Sequence, residues 1–216
     1  EQQRAQELGR RLAGGETVAL ISDAGMPVIA DPGLSAVRAA LEVGAEVTVL
    51  PGPSAVTAAL AVSGLPAERF VFEGFLPRKG ADRSDRIAAI AAEERTVVLF
   101  SAKSRVIKDL EDLEAVLDSD RGLVVARELT KAFEEIWRGT LGEAKEHWAS
   151  QDPRGEFTLV IGGAKTQPIS QEAAVATARD AIESGESMAD AVRRIAADNH
   201  LSRRELYEAV LRSSES

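Results

Sequence analysis

The sequence has no cysteine in its 216 residues. Disulfides and thiolate metal sites are therefore excluded. Histidine is almost absent too. His147 and His200 stand in different segments, so a nitrogen-ligated metal centre has little to be built from, and no metal is expected. An all-carboxylate magnesium site is what remains open. No apolar run approaches the roughly 20 residues that a membrane helix needs. No charged stretch followed by an apolar one reads as a leader. These absences set the expectation of a cytoplasmic protein with no membrane partner. Basic charge is also in short supply: 26 Lys and Arg stand against 35 Asp and Glu, a net charge of −9. Such a chain does not attract nucleic acid as a whole, so any such role requires a local basic patch.

The rest is ordinary for a globular protein, with 44% apolar and 28% charged residues. Ala5, Leu8 and Leu12 have helical spacing, and Gly14-Gly15 ends that pattern. "TVALIS" (17–22) and "EVTVL" (46–50) read as buried strands, separated by a helix marked by Leu34, Val37 and Leu41 and capped at Gly44. "PGPS" (51–54) is a turn, with Ser54 placed to cap a helix running to Ser63. A short strand at 69–72 leads into a glycine- and charge-rich segment. The alternation then restarts. Ile87–Ala92 is helical, 96–100 is a strand, Val106 to Leu117 is a helix, and 122–126 is a strand. "TLGE" (140–143) is a capping box, and "EFTLVIGG" (156–163) is a last strand with a glycine turn. This rhythm predicts open, largely parallel sheets, and the break at 69–86 predicts two such units. After 170 there is no strand pattern. Ser170, Ser187 and Ser202 each open a helix, which predicts a compact helical tail.

"LISDAGMPVIADPG" (20–33) packs Asp23, Gly25, Pro27, Asp31, Pro32 and Gly33 behind an apolar run. In open α/β sheets, ligands sit beyond the carboxyl ends of strands, where this turn and the 51–54 turn both fall. The turns are also explained as tight connections, since glycine and proline punctuate all such proteins. No Lys or Arg occurs between Leu12 and Arg38, while Asp23 and Asp31 add negative charge. A cation or a neutral adenosine suits that environment better than a triphosphate, and a sulfonium is such a cation.

"ISDAGMPVIADPG", "LPGPSAVTAALAVSGLP", "FEGFLPRKG", "VARELTK" and "GEFTLVIGG" occur in order. Together they resemble the tetrapyrrole-methylase-like superfamily of S-adenosylmethionine-dependent methyltransferases. Within it the likeness is to the branch that methylates the 2′-hydroxyl of a cytidine in small-subunit ribosomal RNA. The resemblance runs from residue 1 to about 163, and "LSRRELYEAVL" is similar to that branch's helical domain. It implies an α/β fold: an N-terminal domain (1–74), a second α/β domain (75–165) and a small helical domain (166–216), with S-adenosylmethionine in the cleft between the first two. The superfamily's donor turn falls on Gly25-Met26-Pro27. Ala24, Gly25, Met26, Ile29, Ser54 and Ala55 are thereby implied as donor contacts, as are Phe100-Ser101, Leu129 and Gly162 in the second domain. The resemblance also implies an opening strand and a proline-glycine turn ahead of residue 1. Where the branch has aromatic–Glu–Ser–x–His–Arg, this chain has "FSAKSR" (100–105), with Ser101 and Ser104 in place of the acid and the histidine. Arg105 is kept.

A ribose hydroxyl is a poor nucleophile, so a nearby base or cation helps its attack. Asp31, Glu128 and Lys131 are the candidates, each equally readable as a cap or structural ion pair. "RKGADRSDR" (78–86) supplies the basic patch. Arg78, Lys79, Arg83 and Arg86 are predicted, with Arg105, to grip RNA phosphates, unless the stretch is a solvated loop. Trp137 and Trp148 are read as core rather than stacking residues. The expected partners are ribosomal RNA and the small ribosomal subunit, and the resemblance implies a homodimer. Methylation of a corrin or tetrapyrrole precursor, or a catalytically silent RNA binder, are the alternatives.

Overall fold

The computed structural model describes residues 2–150, 153–165, 169–199 and 201–214. His200 lies outside them. The contacts divide the chain into two compact units, Glu1–Ala164 and Lys165–Ser216.

In the first unit, helix α1 (Gln2–Ala13) packs on α2 (Leu34–Glu42), and α3 (Ala55–Ser63) follows. Gly44 ends α2 as predicted, at φ +71°, and the amide of Ala45 returns to the carbonyl of Ala40. The expected strands at 17–22 and 46–50 form no ladder among the described residues. They leave Ile21 and Leu50 85% and 86% exposed. A strand needs a neighbour to satisfy its backbone groups and cover its side chains. Neither segment has a paired strand among the described residues, which is why apolar periodicity alone overstates them.

One five-stranded sheet follows, in the order β1-β2-β5-β3-β4. Its strands are β1 (Phe70–Phe75), β2 (Thr96–Ala102), β3 (Gly122–Arg127), β4 (Glu135–Thr140) and β5 (Glu156–Ile161). β1 and β2 pair parallel; the other pairings are antiparallel. The expectation of a largely parallel sheet is thus corrected. β4 has no counterpart in the sequence reading, and the β3–β4 connection over 128–134 is a hairpin rather than a helical crossover. α4 (Ala81–Ala92), α5 (Val106–Glu114) and α6 (Leu141–Ala149) complete the unit. The side chains alternate along each strand. Val97, Leu99, Leu123, Val125, Leu159 and Ile161 face a core shared with α4, α5 and α6. Val98, Val124, Ala126 and Val160 face the opposite way, onto Val56, Ala59 and Leu60 of α3. Trp148 is fully buried in the first core, and the capping box at Thr140 and Glu143 starts α6 as predicted. Ser54 occupies the N-cap position of α3, but its side chain makes no capping hydrogen bond.

The second unit consists of α7 (Gln171–Glu183), α8 (Met188–Asp198) and α9 (Arg203–Ser214) around Ala174, Ala178, Val192, Ile195, Leu206 and Val210. Ser170 and Ser187 cap α7 and α8 through the amides of Ala173 and Asp190.

Candidate active site

The two turns singled out by the sequence meet. A β-carbon on Gly25 would lie 3.7 Å from the carbonyl oxygen of Pro53, and one on Gly52 would lie 3.1 Å from Sδ of Met26. The 24–29 and 51–55 turns therefore lie side by side, and a side chain at 52 would press on the thioether of Met26. The backbone there is strained. Val28 and Ala30 have φ of +75° and +59°. A β-branched valine in that region is an outlier that the surrounding structure must hold, at a cost of about 1–3 kcal/mol. Ser22 donates its hydroxyl to Oδ2 of Asp31 at 2.5 Å, across the base of the turn.

The other positive-φ non-glycine residues among those described are Glu128 (+49°) and Thr130 (+64°). They fall in "RELTK", the motif that the resemblance implies to contact the donor from the second domain. Among the described residues, non-glycine backbone in this region falls only in these two loops, both marked by the resemblance. The second loop is tied tightly. The amide of Glu128 donates to the carbonyl of Glu156 at 2.9 Å, and Oε1 of Glu128 accepts from the amide of Glu156 at 2.9 Å. Nζ of Lys131 reaches Glu128 at 2.9 Å and Glu156 at 2.8 Å. A β-carbon on Gly155 would come within 2.4 Å of the Glu128 carboxyl, so the clasp requires glycine there. The hydrogen bond from Lys131, with that from Glu156, holds the Glu128 carboxyl below the usual range. The same contacts, Glu156 first, raise the Lys131 ammonium. Both groups are charged at neutral pH and engaged with each other.

The register places the remaining donor candidates. Ser101 stands opposite Phe157 on β5, and Phe157 stands opposite Arg127 on β3. Ser101 and the loop carrying Leu129 therefore leave the sheet at the same end. Leu129 and Phe100 pack on the cluster that includes Val56, one residue into α3 from Ala55. Val56, Phe100 and Leu129 are thus gathered on one face, with Ala55 next to Val56 at the start of α3. Gly162 stands apart from them. It follows Ile161, which pairs with Val97 and Leu123, and its amide donates to Gly122 at 2.8 Å. Five residues of strand separate it from the Ser101 row, about 16 Å.

The basic patch divides. Arg78 and Lys79 are exposed. Arg83 is not a phosphate ligand: α4 begins at Ala81, so Arg83 shares a buried stripe with Ile87 and Ile90. Its guanidinium donates to Asp109, to Asp112 and to the carbonyl of Pro77, each at 2.8–2.9 Å. Arg86 is paired with Glu73 of β1. Arg105 turns inward, donating to the carbonyl of Arg78 at 3.1 Å, with Asp109 3.8 Å away.

Sequence reasoning missed two aromatics at this end. Phe75 closes β1 after a bulge at Glu73 and packs on Phe100 with centroids 5.6 Å apart, yet stays 55% exposed. Phe133, in the strained 128–134 loop, is 77% exposed. The available signal is a phenylalanine in the charged run "TKAFEE", where it fits neither period.

The strained 128–130 loop leaves one end of a five-stranded α/β sheet, and a second strained stretch lies in the glycine- and proline-rich turn at 25–33; this architecture is shared with solved methyltransferases. The solved methyltransferase CobJ has the same fold, with a TM-score of 0.58 and 24% identity over 79% of this chain and 74% of its own. Uroporphyrin-III C-methyl transferase from Thermus thermophilus, complexed with S-adenyl homocysteine, gives 0.52 and 19% over 75% and 74%. Residues 1–145 match the model of the Tetrapyrrole (Corrin/Porphyrin) Methylases, and the chain belongs to that family. Among relatives, it is 43% identical over 211 residues to ribosomal RNA small subunit methyltransferase I of Synechocystis sp., covering 96% of this chain and 76% of the relative. It is 47% identical over 165 residues to the protein of that name from Xylella fastidiosa, covering 76% and 60%. For Mycobacterium tuberculosis (strain CDC 1551 / Oshkosh) the identity is 44% over 200 residues, covering 92% and 70%. The chain thus spans between three fifths and three quarters of these relatives' length.

Proposed function

We propose that this chain carries the donor-binding and RNA-facing parts of an S-adenosylmethionine-dependent methyltransferase acting on a cytidine 2′-hydroxyl of small-subunit ribosomal RNA. The observation that carries the reading is the convergence of the 24–29 and 51–55 turns, joined to relatives of that name at 43–47% identity. The residues fit the donor. Gly25 is exposed, with the Pro53 carbonyl beside it, so its backbone is open to close approach, and the charges of this segment are Asp23 and Asp31, suited to a sulfonium. Ala24, Gly25, Met26, Ile29, Ser54 and Ala55 would hold the donor from one side, and Ser101 and Leu129 from the other. When bound, S-adenosylmethionine supplies a methyl group on a cationic sulfur that leaves as a neutral thioether.

The chain's own residues then have to orient and deprotonate. Holding nucleophile and methyl in line can lower the barrier by roughly 7–11 kcal/mol. Glu128 and Lys131 are poor proton acceptors, because their mutual clasp stabilises both charged forms; their part is to fix the Leu129 loop. Asp31, oriented by Ser22, is the remaining acidic candidate to receive the hydroxyl proton as the new O–C bond forms. The protein acts in the cytoplasm, where its ribosomal partner is found, and as a homodimer; the resemblance alone supports the dimer. A corrin precursor is disfavoured, since likeness to the tetrapyrrole enzymes stays under 25% identity.

Arg78 and Lys79 supply the RNA contact, and Phe75 and Phe133 supply stacking surfaces for unpaired bases. Reversing both charges (Arg78→Glu with Lys79→Glu) is expected to lower the slope of log affinity against log salt by about 1–2 for a fragment of small-subunit ribosomal RNA. An unchanged slope would remove RNA phosphates from this patch. Phe133→Ala is expected to weaken the same RNA by roughly ten-fold, in line with about 1–3 kcal/mol for a stacked base, while donor affinity stays as it was. Equal RNA affinity in filter binding would reduce Phe133 to a solvated loop residue.

A further inference from the structure

β1 and β2 run parallel, with Phe75 paired to Phe100, so the segments that follow them leave the sheet side by side. After β1 comes the loop 76–80, with Arg78 and Lys79. After β2, the amide of Arg105 returns to the carbonyl of Ala102 at 2.8 Å, closing a four-residue turn with Lys103 and Ser104 exposed at its tip. The side chain of Arg105 donates to the carbonyl of Arg78 at 3.1 Å, which docks this turn on the loop. β3 is antiparallel to β5, as β2 is, so the 128–134 hairpin emerges at the same end, three strand spacings or about 14 Å from β1. Three exposed cations, Arg78, Lys79 and Lys103, thus share one end of the sheet with the exposed rings of Phe75 and Phe133.

Most acids around these cations are already engaged. Asp109 accepts from Arg83 at 2.8 Å and from the hydroxyl of Ser101 at 2.6 Å. Asp112 accepts from Arg83 and from Lys108, each at 2.8 Å, and Glu73 is paired with Arg86. Among the described residues, none forms an ion pair with Arg78, Lys79 or Lys103. Asp82 and Asp85 stay exposed on α4, two acids against three cations, so the excess is positive. Cations alone suit any nucleic acid. Exposed phenylalanine rings beside them suit unpaired bases, because the base faces of a duplex are already stacked. We propose that Lys103 is a further RNA-binding residue, which with Arg78 and Lys79 forms a track for an unpaired strand across the ends of β1 and β2. The hydrogen bond from Arg105 holds the two halves of the track together. The choice of RNA as ligand rests on the methyltransferase reading; the joining of the two loops rests on the hydrogen bonds alone.

The test titrates the protein carrying this chain, over a range of salt, with an oligocytidine of about twelve nucleotides and with an RNA duplex of the same length. Lys103→Ala is expected to lower the slope of log affinity against log salt for the single strand by about 0.7, the value for one phosphate contact. Lys103→Arg keeps the charge and should keep the slope. Because Lys103 is exposed, both variants should melt with the parent and bind S-adenosylmethionine as it does. Bound oligocytidine should slow amide exchange at 77–80 and at 102–105 together, by about three-fold or more. A slope unchanged by Lys103→Ala, while charge reversal at Arg78 and Lys79 lowers it, overturns the inference and leaves the methyltransferase reading standing. Equal affinity for the duplex overturns the choice of an unpaired strand. If the parent binds S-adenosylmethionine but neither RNA, the track is overturned along with RNA as the ligand. If the parent binds no S-adenosylmethionine, yet Lys103→Ala still lowers the slope, the methyltransferase reading fails and the track stands as an RNA surface.

Discussion

Gly25→Trp is expected to abolish S-adenosylmethionine binding, raising Kd by about 100-fold or more, while the melting temperature falls by only a few degrees. Gly25 sits at φ +76°, where a side chain costs about 1–2 kcal/mol in backbone strain. That cost is local, because the residue is exposed and belongs to no core cluster. The large effect comes from space. The added β-carbon starts 3.7 Å from the Pro53 carbonyl, so the indole stands at the junction of the two turns, where the donor is proposed to lie. Gly25→Ala separates strain from occlusion. It adds the same backbone cost but only an ordinary van der Waals contact, so donor affinity should fall by less than about ten-fold. Calorimetry on the three proteins checks both. Tight binding by the tryptophan variant would remove the donor from this turn.

Arg121→Met is expected to give the largest loss of stability. Arg121 is buried, and its guanidinium donates to the carbonyls of Ala91 at 3.1 Å and Glu93 at 2.8 Å, and to Gly162. Ala91 and Glu93 mark the end of α4, where carbonyls lack helical partners and carry the negative end of the helix dipole. One cation thus joins the end of α4 to the end of β5. Burial weakens the guanidinium's hold on its proton, opposed by Asp118 and Glu93, yet arginine remains charged at any working pH. Methionine fills a similar volume but takes the guanidinium from three carbonyls, of which that of Glu93 keeps the amide of Ala164. Hydrogen bonds to a charged group are worth roughly 1.5–3 kcal/mol each, and they overlap, so about 3–5 kcal/mol is expected. That corresponds to roughly 10 °C for a protein of this size. Both tryptophans, Trp137 and Trp148, lie in the first unit, so urea unfolding followed by their fluorescence reports on it directly. A loss below about 1 kcal/mol would show that water replaces the guanidinium at those carbonyls.

Much of this architecture is legible in the amino-acid sequence itself. The caps at Gly44, Thr140, Ser170 and Ser187 follow from short-range chemistry, and short-range chemistry is what a sequence displays. The strands at 96–102, 122–127 and 156–161 stand out because they are buried on both faces and read as unbroken apolar runs. The same cue fails at 17–22 and 46–50, since an apolar run records a preference for burial and not the presence of a neighbour. β4 escapes because "EIWRGT" lies at the sheet edge, half-buried, and reads as a mixed segment. Arg83 is misread when charge is weighed before periodicity; its spacing to Ile87 and Ile90 is already that of a buried face. The donor turns are recognisable from their motifs, but the clasp of Glu128, Lys131 and Glu156 joins residues 28 apart and depends on the register of β3 with β5. The link between Ser101 and Asp109 needs the packing of α5 on the sheet. No local pattern announces it.

The most direct test of the methyltransferase reading is transfer itself. Small ribosomal subunits lacking the modification would be incubated with the protein carrying this chain and S-adenosylmethionine labelled in its methyl group. The RNA would then be digested to nucleosides and separated by mass spectrometry. One labelled methyl per subunit, on the ribose of a cytidine, is the expected result, and Gly25→Trp should eliminate it. Label on a base, or none in a preparation shown to bind both donor and subunit, would contradict the account.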